Sequence, residues 1–495
     1  MNSVRILQNA NFGALHTVML LSPAFNKTKI VCTIGPSCSS REKMIQLVEA
    51  GMDVCRLNAS HGTYAIHQQT IDLIRELNAT FDLNLSILLD LQGPKIRIGG
   101  LDEPYPIQAG DEVELCTTIS KQEGNRLPME LDTLAKDVKV GDLVLVEDGK
   151  VELRVLETNG IDTVKLKVIN GNEIGSRKGV NLPNTSISLP SLTDKDLRDL
   201  QLGIRNHVDW IALSFVRTPE DILVLRQILR DNNCFSRIIA KIEKPEALIN
   251  IDEIIEVSDA IMVARGDLGV EIPIEEVPFW QKKIVAMCNA NAKPVIVATQ
   301  MLDSMIENAR PTRAEATDVA NAVFDGADAL MLSGETSTGK YPVEAVKTMQ
   351  RIIAKAEESE KIYHRNYDSD PNSDTFYSDV TCNIAVRFAQ EINAKAIISL
   401  TQSGYTAFQL SKRRPKAEIF IFTSNRPLLD TLNLVWGVQA YYYDSFEGTN
   451  HTIQDVIDIL KKDDAVQPGD IVINTASIPI EERGRTNMVK YTVVK

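Results

Sequence analysis

The stretch DAIMVARGDLG, Asp259 to Gly269, runs through apolar residues and then turns polar at once with Arg265, Gly266 and Asp267. One such ending says little, because Gly-Asp is ordinary turn chemistry and turns follow strands. Its recurrence decides the fold. Short β-branched runs with polar ends appear at Thr28–Ile34 before Gly35-Pro36, Met52–Leu57 before Asn58, Ser86–Leu89 before Asp90, and Trp210–Leu213 before Ser214. They continue at Arg237–Ala240 before Lys241, Ala260–Ala264 before Arg265, Pro294–Ala298 before Thr299, and Ala329–Leu332 before Ser333. Helical patterns follow most of them, including Ser40–Ala50, Thr63–Thr80, Pro219–Asp231 and Pro342–Ser359. Eight β-α units with nearly continuous apolar strands predict a closed parallel (β/α)8 TIM barrel, whose reactive groups sit at the C-terminal strand ends. An open doubly wound sheet would need a Gly-rich phosphate loop after the first strand, and the sequence has none.

The spacing breaks once, between Asp90 and Trp210, where short alternating segments (Asp111–Cys116, Leu143–Val146, Val151–Leu156, Thr163–Val168) are separated by Gly and Asp. They predict a small β-barrel lid domain, 95–189, inserted over the rim. The barrel is then 27–94 and 190–360, preceded by an N-terminal extension, 1–26. A C-terminal α/β open-sheet domain, 361–495, carries strands at Lys395–Leu400, Glu418–Phe422 and Asp470–Asn474.

The chain has 495 residues, 44% apolar and 24% charged, with a formal net charge of −14. That balance argues against nucleic acid or an anionic membrane as partner, since both need a basic face, and favours small molecules. Seven scattered cysteines without a Cys-x-x-Cys pair fit free thiols in a reducing cytoplasm. No apolar run reaches the roughly 20 residues of a membrane helix.

Glu243 and Asp267 close consecutive strands. Two carboxylates with the remaining positions left to water and substrate oxygen is the ligand style of magnesium beside phosphates, although each acid has a basic neighbour, Lys244 or Arg265, with which to form a rim salt bridge. Lys241 lies two residues before Glu243 and so on the same side of an extended strand, placed to neutralise a phosphoryl group or an enolate, or to serve as a structural lysine. Arg56, Arg97 and Lys178 add positive charge. Asn58, Ser60 and Asp90 supply oxygens for a monovalent cation or caps for the next helix. His61 is either an acid-base group or a helix-start contact.

These residues closely resemble the pyruvate kinase family. The stretch KIEKPEALINIDEIIEVSDAIMVARGDLGVEIP (241–273) is similar to its signature, and TKIVCTIGPS (28–37), RLNASHG (56–62), DLQGPKIRIG (90–99), RKGVNLP (177–183), PVIVATQMLDSM (294–305) and LSGETSTGKYP (332–342) match further pieces. The resemblance implies phosphoryl transfer from phosphoenolpyruvate to ADP, giving ATP and pyruvate, by a cytoplasmic homotetramer. It places a divalent ion, Mg2+ or Mn2+, on Glu243 and Asp267, and gives catalytic roles to Lys241, Arg56 and Thr299, with Gly266 and Asp267 also at the substrate. Pro36, Asn58, His61, Arg97, Asp148 and Lys178 would face the nucleotide. Asn58, Ser60, Asp90 and Leu91 would form the monovalent-cation region, with the ammonium of Lys95 replacing potassium where potassium-requiring relatives carry glutamate. One departure falls on the nucleotide side, where a frequent lysine is Thr338 and Lys340 follows two places on.

In the C-terminal domain, the loop Thr401-Gln402-Ser403-Gly404-Tyr405-Thr406 suits an effector phosphate. The distal segment SIPIEERGRTN (477–487) sets Glu481 and Glu482 against a bisphosphate, partly offset by Arg483 and Arg485, so a monophosphate effector is expected. Two other functions fit parts of the pattern. An enolate-forming lyase or aldolase would use the same metal and lysine without needing the Arg177-Lys178 lid. A non-catalytic phosphometabolite sensor would not need Lys241, Glu243 and Asp267 together.

Overall fold

The computed structural model describes residues 25–183, 185, 190–446, 448–480 and 484–495. Eight parallel strands close a barrel, pairing in sequence order and finally eighth to first. In order they are Lys29–Thr33, Val54–Asn58, Ser86–Asp90, Trp210–Leu213, Arg237–Ile242, Ala260–Ala264, Val295–Ala298 and Ala329–Leu332. Period-two alternation sorts their side chains into two populations. Cys32, Leu57, Leu89, Leu213, Ala240 and Val263 face outward and pack with the surrounding helices. Val31, Val54, Leu88, Ala212, Ile239, Met262, Ile296 and Met331 fill the interior. The helices start on local caps: Ser40 accepts from the Lys43 N–H, Thr63 from Ile66, and Thr193 and Thr312 form capping boxes.

Between barrel strands three and four the chain builds a six-stranded sheet with its own apolar core. The first and last strands of this sheet do not pair, so it is a curled half-barrel rather than a closed one. Its outgoing and returning chains pair at the base, with the Val180 N–H donating to the Ile96 carbonyl at 2.9 Å and Ile98 to Lys178 at 2.9 Å. Residues 184 and 186–189, where the lid boundary was expected, lie outside the described residues, as do residues 1–24 of the N-terminal extension.

The C-terminal sheet has five strands. The expected three are joined by Val438–Tyr442 and by Met488–Val493, an antiparallel edge strand that makes the sheet mixed. Apolar clusters cover both of its faces. This domain closes the barrel floor: Leu434 joins the interior cluster, and the Trp210 indole donates to the Thr431 carbonyl at 3.3 Å. Arg414 staples the two domains. Fully buried, it pairs with Asp328 at 3.0 Å, donates to Asn289 at 2.6 Å and to the Gly326 carbonyl at 2.8 Å, and stacks on Trp436. Removing one partner of a buried pair leaves the other charge desolvated. Arg414→Met is therefore expected to cost about 3–5 kcal/mol, read as a lower denaturation midpoint that Asp328→Asn in the same chain partly restores.

Candidate functional site

The alternation that fills the barrel also builds its uppermost interior layer. Two residues beyond Val31, Val54, Leu88, Ala212 and Ile239 come Thr33, Arg56, Asp90, Ser214 and Lys241. Buried polar groups at that level must satisfy one another. Arg56 Nε donates to Asp90 Oδ2 at 2.7 Å and Nη1 to Thr33 Oγ1 at 2.8 Å. Lys241 Nζ donates to Ser214 Oγ at 2.7 Å and lies 3.2 Å from Asp90 Oδ1 and 2.9 Å from Glu243 Oε1. The Ser214 hydroxyl in turn donates a hydrogen bond to the Leu91 carbonyl at 2.7 Å. Lys241 and Glu243 thus share a side, as their spacing predicted, and Asp90 joins both cations.

Burial opposes the Lys241 charge most strongly, but Asp90, Glu243 and Asp267 outweigh it and hold the ammonium above the ordinary lysine pKa. Burial would also raise Asp90, yet Lys241 and Arg56 hold it below the usual carboxylate range. Glu243 goes the other way: burial pushes its carboxyl up, Lys241 pulls it back and Asp267 pushes it further. Its Oε2 accepts the Phe215 N–H at 2.8 Å, aimed by a left-handed Phe215 (φ 54°). Its Oε1 is buried without an aligned donor, since Lys241 approaches as a charge rather than along a hydrogen bond. A Cβ on Gly93 (φ +71°) would fall 2.8 Å from the Phe215 ring, so this turn requires glycine.

Asp90, Glu243 and Asp267 surround Lys241, with Arg56 as the second cation, so carboxyl groups outnumber cations here. An orphaned carboxylate oxygen on Glu243 and a half-buried Asp267 at the cleft edge present hard oxygen donors of the kind a divalent ion takes. Among the described residues no three His, Cys, Asp or Glu side chains are grouped so that they could hold a metal ion by themselves.

Arg265-Gly-Asp267 is the first turn of a short helix, Arg265–Glu271, rather than an open loop. The Gly266 N–H donates to Thr299 Oγ1 at 2.7 Å, joining strands six and seven. Asp267 lines a cleft between barrel and lid together with Lys95, Asp148, Phe215, Lys244 and Glu271. A buried bridge crosses this cleft: Asn181 of the lid donates to Glu271 Oε1 at 2.9 Å, and Lys244 to the same oxygen at 2.7 Å.

The other expected residues spread around this centre. Arg97 Nη1 donates to the Arg177 carbonyl at 3.0 Å, and Lys178 pairs with Glu147 at 3.1 Å. Pro36 and His61 are exposed, and the His61 carbonyl accepts from the His67 ring at 2.8 Å. Asn58 Oδ1 accepts the Ser60 N–H at 3.1 Å, so it closes the turn while Thr63 caps the helix. Leu91 is buried, and Lys95 is exposed in the cleft, outside the Arg56–Asp90–Lys241 cluster. Lys340 pairs with Glu307.

Thr33 and Ser214, the uncharged partners of Arg56 and Lys241, were not singled out from sequence, although both continue the interior alternation of their strands. Lys244 was read as a rim partner for Glu243, whereas it pairs with Glu271. Arg265 was read as a partner for Asp267, whereas it pairs with Asp318.

In the C-terminal domain, Thr401, Gln402, Ser403, Tyr405 and Thr406 line a cavity of about 430 Å³ with Arg485 and Thr486, and Gly404 (φ +81°) makes the turn. Glu481, Glu482 and Arg483 lie outside the described residues.

The chain matches the family model "Pyruvate kinase, barrel domain" over residues 25–346 and "Pyruvate kinase, alpha/beta domain" over 379–491. Pyruvate kinases of Staphylococcus aureus and Staphylococcus epidermidis are 42% and 43% identical to it over 470 residues, 94% of this chain and 80% of theirs. A solved pyruvate kinase from Cryptosporidium parvum matches with a TM-score of 0.88 at 37% identity, over 94% of this chain and 96% of that one.

Proposed function

The chain belongs to the pyruvate kinase family and transfers the phosphoryl group of phosphoenolpyruvate to ADP, and from that premise we propose which residues carry each part of the reaction. The observation that supports the assignment is the charge layer on the barrel axis, where Lys241 and Arg56 are held beside Asp90 and Glu243.

The family uses a divalent metal. Glu243 and Asp267 would hold it, and it supplies neutralisation of phosphoryl and enolate oxygens. Arg56 orients the phosphate. As the bond between phosphorus and the enol oxygen breaks and a new one forms to the terminal phosphate oxygen of ADP, negative charge shifts onto the enolate. Lys241, kept protonated by its carboxylates, sits where that charge develops and needs no reorganisation to meet it. Thr299 stands by the methylene carbon and delivers the final proton through water, with Gly266 and Asp267 beside the substrate. Pro36, Asn58, His61, Arg97, Asp148 and Lys178 face the nucleotide. Lys178 exchanges Glu147 for a phosphate, an exposed pair that holds it only weakly.

Potassium is not required on this reading. Asp90 is already compensated by Arg56 and Lys241, and Lys95 adds fixed positive charge in the cleft. The Thr401–Thr406 cavity takes a monophosphate effector through its hydroxyls and Arg485. Assembly as a homotetramer is part of the same reading, supported by exposed Ile274 and Phe279 on the barrel and by the edge strand Met488–Val493. A cytoplasmic setting is supported by seven buried, unpaired cysteines, and no described helix is long and apolar enough to cross a membrane. Domain limits near 94, 190 and 360 follow the separate apolar cores.

Lys241→Met is expected to lower kcat by at least about 10²-fold with a smaller change in KM; a near-normal kcat in the coupled pyruvate assay removes this role. At fixed ionic strength, kcat is expected to be nearly equal in potassium, sodium and tetramethylammonium salts, and Lys95→Glu to create a potassium requirement. Stimulation of the wild type by potassium above about tenfold, roughly 1.4 kcal/mol, contradicts it. AMP or a sugar monophosphate is expected to activate more strongly than fructose 1,6-bisphosphate, and the reverse order in initial-rate titrations overturns the effector assignment.

A further inference from the structure

Strand seven ends in a conformation that its sequence disfavours. Thr299 (φ 69°) and Gln300 (φ 53°) are consecutive left-handed residues without a glycine between them, and the first is β-branched. Such backbone is strained and persists only where its surroundings enforce it.

The enforcing group is one guanidinium. Arg265 Nε donates to the Ala298 carbonyl at 3.3 Å, and Nη2 donates to the carbonyls of Thr299 at 2.7 Å and Gln300 at 3.4 Å. Three successive carbonyls turn toward one cation because the left-handed pair folds them to the same side. The guanidinium is itself moored, with Nη1 donating to Asp318 Oδ1 at 2.8 Å on the helix Arg313–Asp325 and to Gln281 Oε1 at 3.3 Å on the helix Val277–Ala290. With the carbonyls held, Thr299 Oγ1 donates to the Ala298 carbonyl at 2.6 Å and accepts from the Gly266 N–H, which fixes the hydroxyl beside the substrate residues. A lysine has one charge centre and cannot span three carbonyls and a carboxylate in a plane.

We propose that Arg265, moored by Asp318, is the positioning residue for Thr299: it holds the end of strand seven in its left-handed turn so that the Thr299 hydroxyl is aligned for proton delivery to the enolate carbon. The inference rests on the role given to Thr299 above. Arg265 touches no reacting atom, so its loss acts on the proton step and leaves phosphoenolpyruvate and metal binding nearly unchanged.

The test follows exchange of the methyl deuterons of pyruvate into water by NMR, with the full chain, magnesium and ATP; each event breaks a carbon–deuterium bond, releases the deuteron to solvent and returns a proton to the carbon. Arg265→Lys is expected to slow exchange by roughly 10²-fold, the scale of an ångström's misplacement, and Asp318→Asn by about tenfold, while KM for phosphoenolpyruvate stays within about threefold. Wild-type exchange in Arg265→Lys, or in Asp318→Asn should the first variant not fold, overturns the proposal. A KM that moves as far as the exchange rate also overturns it, because that marks general disruption. Thr299→Ala separates the two layers: if it exchanges normally, the role of Thr299 itself fails, whereas slow exchange in Thr299→Ala beside normal exchange in Arg265→Lys removes only the clamp.

Discussion

The ammonium of Lys241 is the charge around which the site is arranged. Buried at the top of the barrel, it is stable as a cation only because Asp90 and Glu243 lie within 3.2 Å and 2.9 Å and Ser214 Oγ accepts a hydrogen bond from it. Each partner depends in turn on another element. Asp90 is shared with Arg56 from strand two, Ser214 is tied to the Leu91 carbonyl beyond strand three, and Glu243 is held by the left-handed Phe215 after strand four. A shift in any of these strands would strand a charge in a low dielectric, which costs far more than a lost surface contact. The barrel therefore provides an interior in which cations and carboxylates must stay in register, and the field at its C-terminal end is fixed by the fold.

The cleft above this layer is joined to it through the helix Arg265–Glu271. Its first turn presents Gly266 and Asp267, and its last residue, Glu271, takes Lys244 from the barrel and Asn181 from the lid on one oxygen. Lid position and the Asp267 carboxylate are thus linked by about one turn of helix. The buried Glu271 Oε2 has no hydrogen-bond partner, which makes this bridge costly to hold. On the opposite side the C-terminal domain plugs the barrel floor, and Arg237, which opens strand five, stacks on Phe408 and reaches the Ser403 carbonyl at 3.4 Å. Strand five thus runs from the edge of the Thr401–Thr406 cavity to Lys241.

Much of this was legible in the chain. Eight apolar runs with polar ends required eight strands, and the count with its intervening helices required closure. Period-two alternation put Lys241 and Glu243 on one side. The lid and three of the four parallel strands of the C-terminal sheet were readable from alternation and spacing. The strands Val438–Tyr442 and Met488–Val493 were not, because aromatic, lysine and threonine residues on a half-exposed edge lack the apolar signal of a buried strand.

What the sequence determined by itself was the order of elements and the faces of each strand, since these follow from local periodicity, which tertiary contacts do not change. Which charges meet was decided only by closure. Arg265 sits beside Asp267 in sequence but turns to the carbonyls of strand seven and to Asp318, and Lys244 sits beside Glu243 but pairs with Glu271. Arg265 and Asp267 fall in one helical turn, where residues two apart do not face each other, and Lys244 lies past the end of strand five, leading into the helix Pro245–Ile249. Partners tens of residues away are brought together by the curvature of the barrel, and that curvature is a property of all eight strands.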